Sequence, residues 1–217
     1  GVLFADTAEP APRTWYANAA NYGKEGMDGL TAETAWGDLQ TAHDKAGGGD
    51  TIKVVEGVYN QGGGTIAHQR ASRVVVSKPL TFEAVGEVSR THIVGELSTG
   101  NGWGDSGMRA ICVVQGGAGT VFKGFTIRNG SGGLGTRKVW TPNYSGNGNP
   151  AGGGINCYGT GETAWKTAYF VDCVISNNAA KWGSAMYGGT AIRCLIANNV
   201  GSGNAGVCCS AALLNSA

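Results

Sequence analysis

Charge is scarce in this chain. Charged side chains make up 14% of its 217 residues, against about 25% in an ordinary soluble domain. Sixteen basic and fifteen acidic side chains leave a formal net charge of +1. No basic run is long enough to track a phosphate backbone, so nucleic acid is excluded as an expected partner. Long apolar runs are missing too, and none approaches the roughly 20 residues a membrane helix needs. The six cysteines, Cys112, Cys157, Cys173, Cys194, Cys208 and Cys209, contain no Cys-x-x-Cys pair and have no histidine at ligand spacing. Neither a zinc site nor a redox motif is expected from them, and no cofactor is anticipated. His43, His68 and His92 lie far apart, none with a serine or cysteine partner in a recognisable motif. The Gly-rich stretches 62–64 and 152–154 lack the Lys-Ser/Thr and following helix of a phosphate loop, and are expected to be corners.

Glycine is what the chain has in excess, with 39 residues. Each glycine in a helix interior costs about 1 kcal/mol relative to alanine, so a mostly helical chain is excluded. With 41% hydrophobic residues and six tryptophans it is not a disordered chain either. Many short strands joined by tight corners remain.

A repeat organises those strands. Residues 168–199 hold two copies of one unit, in which Phe170, Cys173, Ile175, Asn177 and Asn178 are answered by Ala191, Cys194, Ile196, Asn198 and Asn199 about 21 positions later. Upstream, Phe125, Ile127 and Asn129 fall on Cys173, Ile175 and Asn177, and downstream Ala212, Leu214 and Ser216 continue the series. A second, Gly-rich strand recurs from Gly153, Gly183 and Ala205, placing Cys157, Tyr187 and Cys208 at one position. The fold expected is all-β: a right-handed parallel β-helix, or solenoid, with coils over 51–217. Period-2 alternation turns the cysteine, the isoleucine and the first asparagine inward. Asn129, Asn177 and Asn198 are then a structural asparagine ladder, with Cys173 and Cys194 stacked beside it. A spacing of about 4.8 Å between rungs permits a Cys173–Cys194 disulfide, and equally a stack of reduced, buried thiols. Outward positions hold one acid, Asp172, beside Arg193, which predicts a cross-rung ion pair. Val174, Leu195 and Leu213 are expected to form an outward apolar stripe, covered by a loop or by a second chain.

Ahead of the coils, residues 1–13 read as a leader or the remnant of a signal peptide, and 14–50 as a cap. Thr34 is placed to cap a helix over 35–46, with Trp36, Leu39, Ala42 and Ala46 on one face. Such a helix shields the open end of a stack of strands, which otherwise exposes apolar cross-section and unpaired edges.

This succession resembles the N-terminal cap of secreted right-handed parallel β-helix proteins of the pectate-lyase-like superfamily. The residues that carry the resemblance are Asp28, Gly29, Leu30, Ala35, Trp36, Leu39, Gly49, Asp50, Thr51, Gly57 and Tyr59. The alternation of Gly-Gly strands with Asn-ending strands also resembles the repeats of polymorphic outer-membrane and autotransporter passenger proteins. Both imply an extracellular or cell-surface, bacterial location. Lyases, hydrolases, adhesins and tailspikes all share such a start, so the activity does not follow from it.

The expected register sends the segments 95–107, 130–152, 179–183 and 200–204 from one corner. Trp103, Trp140, Tyr144 and Trp182 lie there among Asp105, Arg109, Arg137, Lys138 and Lys181. Flat rings beside hydrogen-bonding side chains suit a sugar; the same rings also suit loops packed on their own coil. Two or three clustered acids, as in a hydrolase or a Ca²⁺-dependent lyase, are not seen at the outward positions. A non-catalytic stalk, adhesin or glycan-binding surface, with a polysaccharide or cell-surface glycan as partner, is the first expectation. The N-terminal part of a pectate-lyase-like lyase or hydrolase, using Ca²⁺ and completed by coils after Ala217, is the second. A module that stacks end to end through its open coil, taking further coils or another chain as partner, is the third.

Overall fold

A computed structural model describes residues 11–65, 71–100, 106–133, 151–157, 167–201 and 206–217. Residues 1–10 of the leader expected over 1–13, and His68, lie outside them, while Arg13 is tied down by a bond from its N–H to Asp50 Oδ1 at 2.7 Å. Nearly all of the regular structure is β. The strands are β1 (Thr14–Ala17), β2 (Thr51–Val54), β3 (Gly57–Tyr59), β4 (Ser72–Val76), β5 (Thr81–Ala84) and β6 (Thr91–Val94). Then come β7 (Arg109–Val113), β8 (Thr120–Lys123), β9 (Thr126–Arg128), β10 (Ile155–Cys157), β11 (Ala168–Val171) and β12 (Val174–Ser176). The last are β13 (Ala179–Ala180), β14 (Met186–Tyr187), β15 (Thr190–Ile192), β16 (Leu195–Ala197), β17 (Val200–Gly201), β18 (Cys208–Cys209) and β19 (Ala212–Leu214).

These strands pair in parallel throughout and sort into three long sheets. The first runs β1-β2-β5-β8-β11-β15-β19, the second β3-β6-β9-β12-β16 and the third β4-β7-β10-β14-β18, with β13 and β17 as a separate pair. The chain visits the first, second and third sheet in turn and begins again one level further on, an arrangement compatible with a parallel β-helix. Among the described residues no helix is long and apolar enough to cross a membrane.

Each sheet sends one column of side chains into a shared core. Ile52, Phe82, Phe122, Phe170, Ala191 and Leu213 are successive partners in the first sheet. Tyr59, Ile93, Ile127, Ile175 and Ile196 are successive partners in the second. Val74, Ile111, Ile155, Met186 and Cys208 line the third. Phe82, Phe122 and Phe170 stack with ring centroids 4.6 and 5.5 Å apart, each contact adding about 0.5–1.5 kcal/mol beyond the area it buries. Leu213 therefore continues an inward column and stands apart from Val174 and Leu195, which do pair with each other. The apolar stripe is two residues long. Tyr187 pairs with Asn156 and Cys209, so Cys157 and Cys208 are each one residue out of the register expected for them. At the far end Ala212 pairs with Thr190 and Leu214 with Ile192, and Ser216, whose Oγ accepts from Cys194 N at 3.0 Å, follows Cys173 and Cys194; the expected alignment of Ala212, Leu214 and Ser216 with Cys194, Ile196 and Asn198 does not hold.

The asparagine ladder is real but is built from the second asparagine of each pair. Asn129, Asn177 and Asn198 adopt φ near +55°, a left-handed conformation that a short polar side chain tolerates better than most. That residue breaks the period-2 alternation, leaving Asn177 and Asn198 exposed and Asn129 half-buried while its successor turns inward. Asn178 is fully buried. Its Oδ1 accepts from Gly130 N at 2.8 Å, and its Nδ2 donates to Ile127 O at 3.2 Å and to Asn199 Oδ1 at 2.9 Å. Asn199 repeats the pattern, accepting from Asn178 N and donating to Ile175 O.

The cap helix is shorter than its periodicity predicts. α1 spans Leu39–Lys45, and its N-cap is Asp38, whose Oδ1 accepts from Thr41 N at 2.9 Å. Thr34 instead closes the preceding loop by donating to Asp28 Oδ1 at 2.6 Å. Trp36 lies outside the helix, bridged to Ala17, with its ring 5.2 Å from that of Trp15. Leu39, Ala42 and Ala46 are buried over the end of the core, as expected of a plug.

His43 of α1 sits within reach of Ser77 and Asp44, an arrangement that invites comparison with a catalytic triad. The geometry makes it an anchor. Nε2 accepts the backbone N–H of Ser77 at 3.1 Å while Ser77 Oγ stays at 3.4 Å, and Nδ1 faces Asp44 Oδ1 at 2.8 Å. The one lone pair a base would need is occupied by the backbone, and burial holds the imidazole below its ordinary pKa.

Candidate functional site

The corner between the second and third sheets gathers the four segments that the repeat places there. Glu96 and Met108 pair in antiparallel fashion at the base of the first. Ser131 N then bonds Met108 O at 3.0 Å, Ser131 bridges to Ala179, and β13 pairs with β17. The bases of the segments are thus stacked like the rungs themselves.

The longest segment, between Ser131 and Ala151, has both ends fastened. On the outgoing side Gly132 N donates to Ala179 O at 2.8 Å, and Ser131 Oγ lies 3.2 Å from Ser98 Oγ in a buried position. On the returning side Ala151 bridges to Trp182, and Gly152 N donates to Trp182 O at 3.0 Å. Gly130 allows this closeness: a Cβ there would stand 2.1 Å from Gly153 O.

Arg109 departs from its expected place. It is fully buried, with Nε 3.0 Å from Gly152 O and 3.3 Å from Ala151 O, and Nη2 3.1 Å from Ala151 O. Its guanidinium therefore pins the returning end of the segment from inside, and it is not a surface contact for a ligand. The sequence carried a signal for this: Arg109 shares its parity with Ile111 and Val113, both inward.

Lys181 and Trp182 are the other predicted residues that the structure describes at this corner. Both are half-buried, with the Lys181 ammonium 5.3 Å from the centroid of the Trp182 ring. The predicted Trp103, Asp105, Arg137, Lys138, Trp140 and Tyr144 lie outside the described residues. Gly152 lies at the corner expected of the Gly-rich stretch 152–154, whereas Ser98 and Ser131, which hold the segment's base, carry no distinctive pattern in the sequence.

The outward acid is engaged. Asp172 receives two bonds from Arg193, Nε to Oδ1 at 2.7 Å and Nη2 to Oδ2 at 2.8 Å, as the cross-rung pairing predicts. That hydrogen bonding holds the carboxyl below its ordinary pKa. A group lowered in this way stabilises the fold above its unfolded-state pKa, and the contribution fades as pH falls through the folded value. The pair is exposed, so Asp172→Asn is expected to lower the melting temperature by less than about 3 °C at pH 7. The difference from wild type should shrink as pH falls below the ordinary aspartate range and be gone once the pH lies below the folded pKa of Asp172, which calorimetry across the acid range checks. Lys53, Glu83 and Lys123 form a similar surface ladder on the first sheet.

All six cysteines are free thiols, so Cys173 and Cys194 form the reduced stack rather than a disulfide. Among the described residues no group of three or more His, Cys, Asp or Glu side chains is close enough together to hold a metal ion. No family model matches the chain, and no curated protein matches it.

Proposed function

We propose that the chain is a right-handed parallel β-helix module of the pectate-lyase-like kind, capped at one end by α1, that serves outside the cell or on its surface as a scaffold for glycan binding. One observation carries this: the base of the longest segment is fastened at both ends, on the backbone of the next rung and by a buried arginine. A rigid frame that fixes the ends of a long connection is the usual way binding residues are displayed. The connection so held contains Arg137, Lys138, Trp140 and Tyr144 in its sequence, and Lys181 and Trp182 stand at its foot. Rings and hydrogen-bonding side chains in that mixture fit the apolar face and hydroxyls of a sugar. Catalysis by the module itself is not part of the proposal, since the outward acid nearest to the repeat, Asp172, is already bound to Arg193.

Retention of the purified chain on an array of polysaccharides and cell-surface glycans tests this. Binding is expected, with Trp182→Ala and Trp140→Ala each weakening it by about two- to tenfold, the size of one lost ring contact. A chain that binds no glycan, or variants that bind as well as wild type, overturns it. Unsaturated product formed from a uronic-acid polymer with Ca²⁺ present would establish a lyase instead.

A further inference from the structure

Among the described residues β4 is the outermost strand of the third sheet, with β7 on its inner side. Val76 O faces β7 and accepts from Val114 N at 2.9 Å. Val75 and Ser77, of the opposite parity, turn their backbone groups to the outer side. A bare edge of this kind is a template for another extended chain. Here α1 covers it with side chains. Val75 N donates to Gln40 Oε1 at 2.8 Å and Gln40 Nε2 reaches back to Val75 O at 3.4 Å, so one amide side chain stands in for a neighbouring strand. Three residues on, His43 Nε2 does the same for Ser77 N. Asp44 Oδ1 ties the two guards together, accepting from Gln40 Nε2 at 2.9 Å and from His43 Nδ1 at 2.8 Å.

The two guards differ in that the Gln40 amide does not titrate, whereas His43 serves only while neutral. Its Nε2 lone pair is given to the Ser77 N–H, and the ring proton sits on Nδ1, toward Asp44. A second proton therefore goes to Nε2, where donor would face donor. Ser77 Oγ, at 3.4 Å, is an acceptor within reach. The charged ring thus exchanges the backbone for the hydroxyl, and the Ser77 N–H loses its cap. The charged groups that face the ring are Asp44 on its own helix and Lys78 on the segment after β4. Lys78 Nζ donates to Ala46 O and to Asp44 O, fastening the C-terminal end of α1. An imidazolium repels that ammonium. Asp44 offsets only part of this, since its side chain is 61% exposed and screened by solvent.

We propose that the last turn of α1 is an acid-released latch on the edge of the third sheet. At neutral pH His43 holds Ser77 shut; protonation of the ring frees the Ser77 N–H and the end of the helix, while Gln40 keeps its grip on Val75. The sheet edge is thereby closed under neutral conditions and opened at one point under acid ones. Burial chiefly, with Lys78 nearby, holds the imidazole of the folded chain below its ordinary pKa, although the bond to Asp44 acts against this. The unfolded chain therefore takes up the proton more readily than the folded one. The stability tied to His43 is intact above the ordinary histidine pKa and is lost as pH falls from there toward the folded value.

Amide hydrogen exchange of the folded chain, read as protection factors at about pH 7.5 and about pH 4.5, tests this. Between the two, protection at Ser77 and Ala46 is expected to fall by about tenfold, the size of one hydrogen bond. Val75 and Ala42, whose N–H groups bond Gln40 Oε1 and Asp38 O, should keep theirs. In His43→Gln the amide oxygen can accept from Ser77 N without titrating, and Asp44 and Lys78 stay in place, so the loss at Ser77 should disappear. Protection at Ser77 that is the same at both pH values overturns the proposal. So does an equal fall at Val75, or a fall at Ser77 that persists in His43→Gln. Should the variant fail to fold, nuclear magnetic resonance of wild type decides: the Ser77 amide and the His43 ring are expected to titrate with one midpoint, below the ordinary histidine value, and separate midpoints overturn the latch.

Discussion

Replacing Arg109 with alanine is expected to destabilise the protein by about 3–5 kcal/mol, the range for breaking a buried, hydrogen-bonded charged group. The loss has two sources. Truncation removes a large side chain from a fully enclosed position, leaving a cavity. It also takes the donors from Ala151 O and Gly152 O, which are buried with it, at about 1–3 kcal/mol for each carbonyl left unsatisfied. Arg109→Lys should recover only part of this, because a single ammonium cannot reproduce the fork of the guanidinium. Urea unfolding followed by circular dichroism measures the loss. Limited proteolysis adds a local reading: cleavage between Ser131 and Ala151 should accelerate more in the alanine variant than cleavage elsewhere. A loss below about 1 kcal/mol would mean that the base is held by the backbone bonds alone.

The second large effect separates two adjacent residues of the same type. Asn178→Ala strips Gly130 N of its acceptor and Ile127 O of its donor inside the core, and about 2–4 kcal/mol of stability should go with them. Asn177→Gly, one position earlier, should change stability by no more than about 0.5 kcal/mol, and in the favourable direction. Its side chain is exposed and its backbone already sits at φ +55°, where glycine carries no Cβ penalty. Chemical denaturation of the two variants side by side is the measurement. Equal effects, or a larger loss at position 177, would mean that the ladder runs through the first asparagine after all.

That pair also shows how far the sequence could be read. The isoleucine column was legible because Ile127, Ile175 and Ile196 each stand two residues before an asparagine, Asn129, Asn177 and Asn198, and the strand register of the second sheet follows from them. The inward asparagine was misassigned by one residue because alternation assumes an extended chain, whereas Asn177 turns through a left-handed conformation and resets the phase. The clue lay in the residue type, since asparagine at a repeated corner is a common occupant of that conformation. Helix α1 failed at its start for a related reason. Thr34 and Asp38 are both capping residues, and the choice is made by Gly37, whose backbone lies so close to Tyr22 that a Cβ there would come within 2.4 Å of Tyr22 Cα. Tertiary contact of that kind leaves no periodic trace. The ion pair at Asp172 was predictable because it depends only on register.

The connections between sheets differ in a way that bears on how such a chain can change. From the first sheet to the second the link is always two residues in the later rungs: Gly124 and Phe125, Asp172 and Cys173, Arg193 and Cys194. The first of each pair has positive φ and the second points into the core, so adding one residue there would turn the following strand inside out. From the second sheet to the third the links vary widely in length, yet the strands after them resume the same columns. Insertions and deletions at that corner leave the phase of the repeat untouched. The molecule therefore keeps its framework and its variable surface under separate control, and segments of different length or chemistry can be exchanged between Ser131 and Ala151 without renegotiating the core.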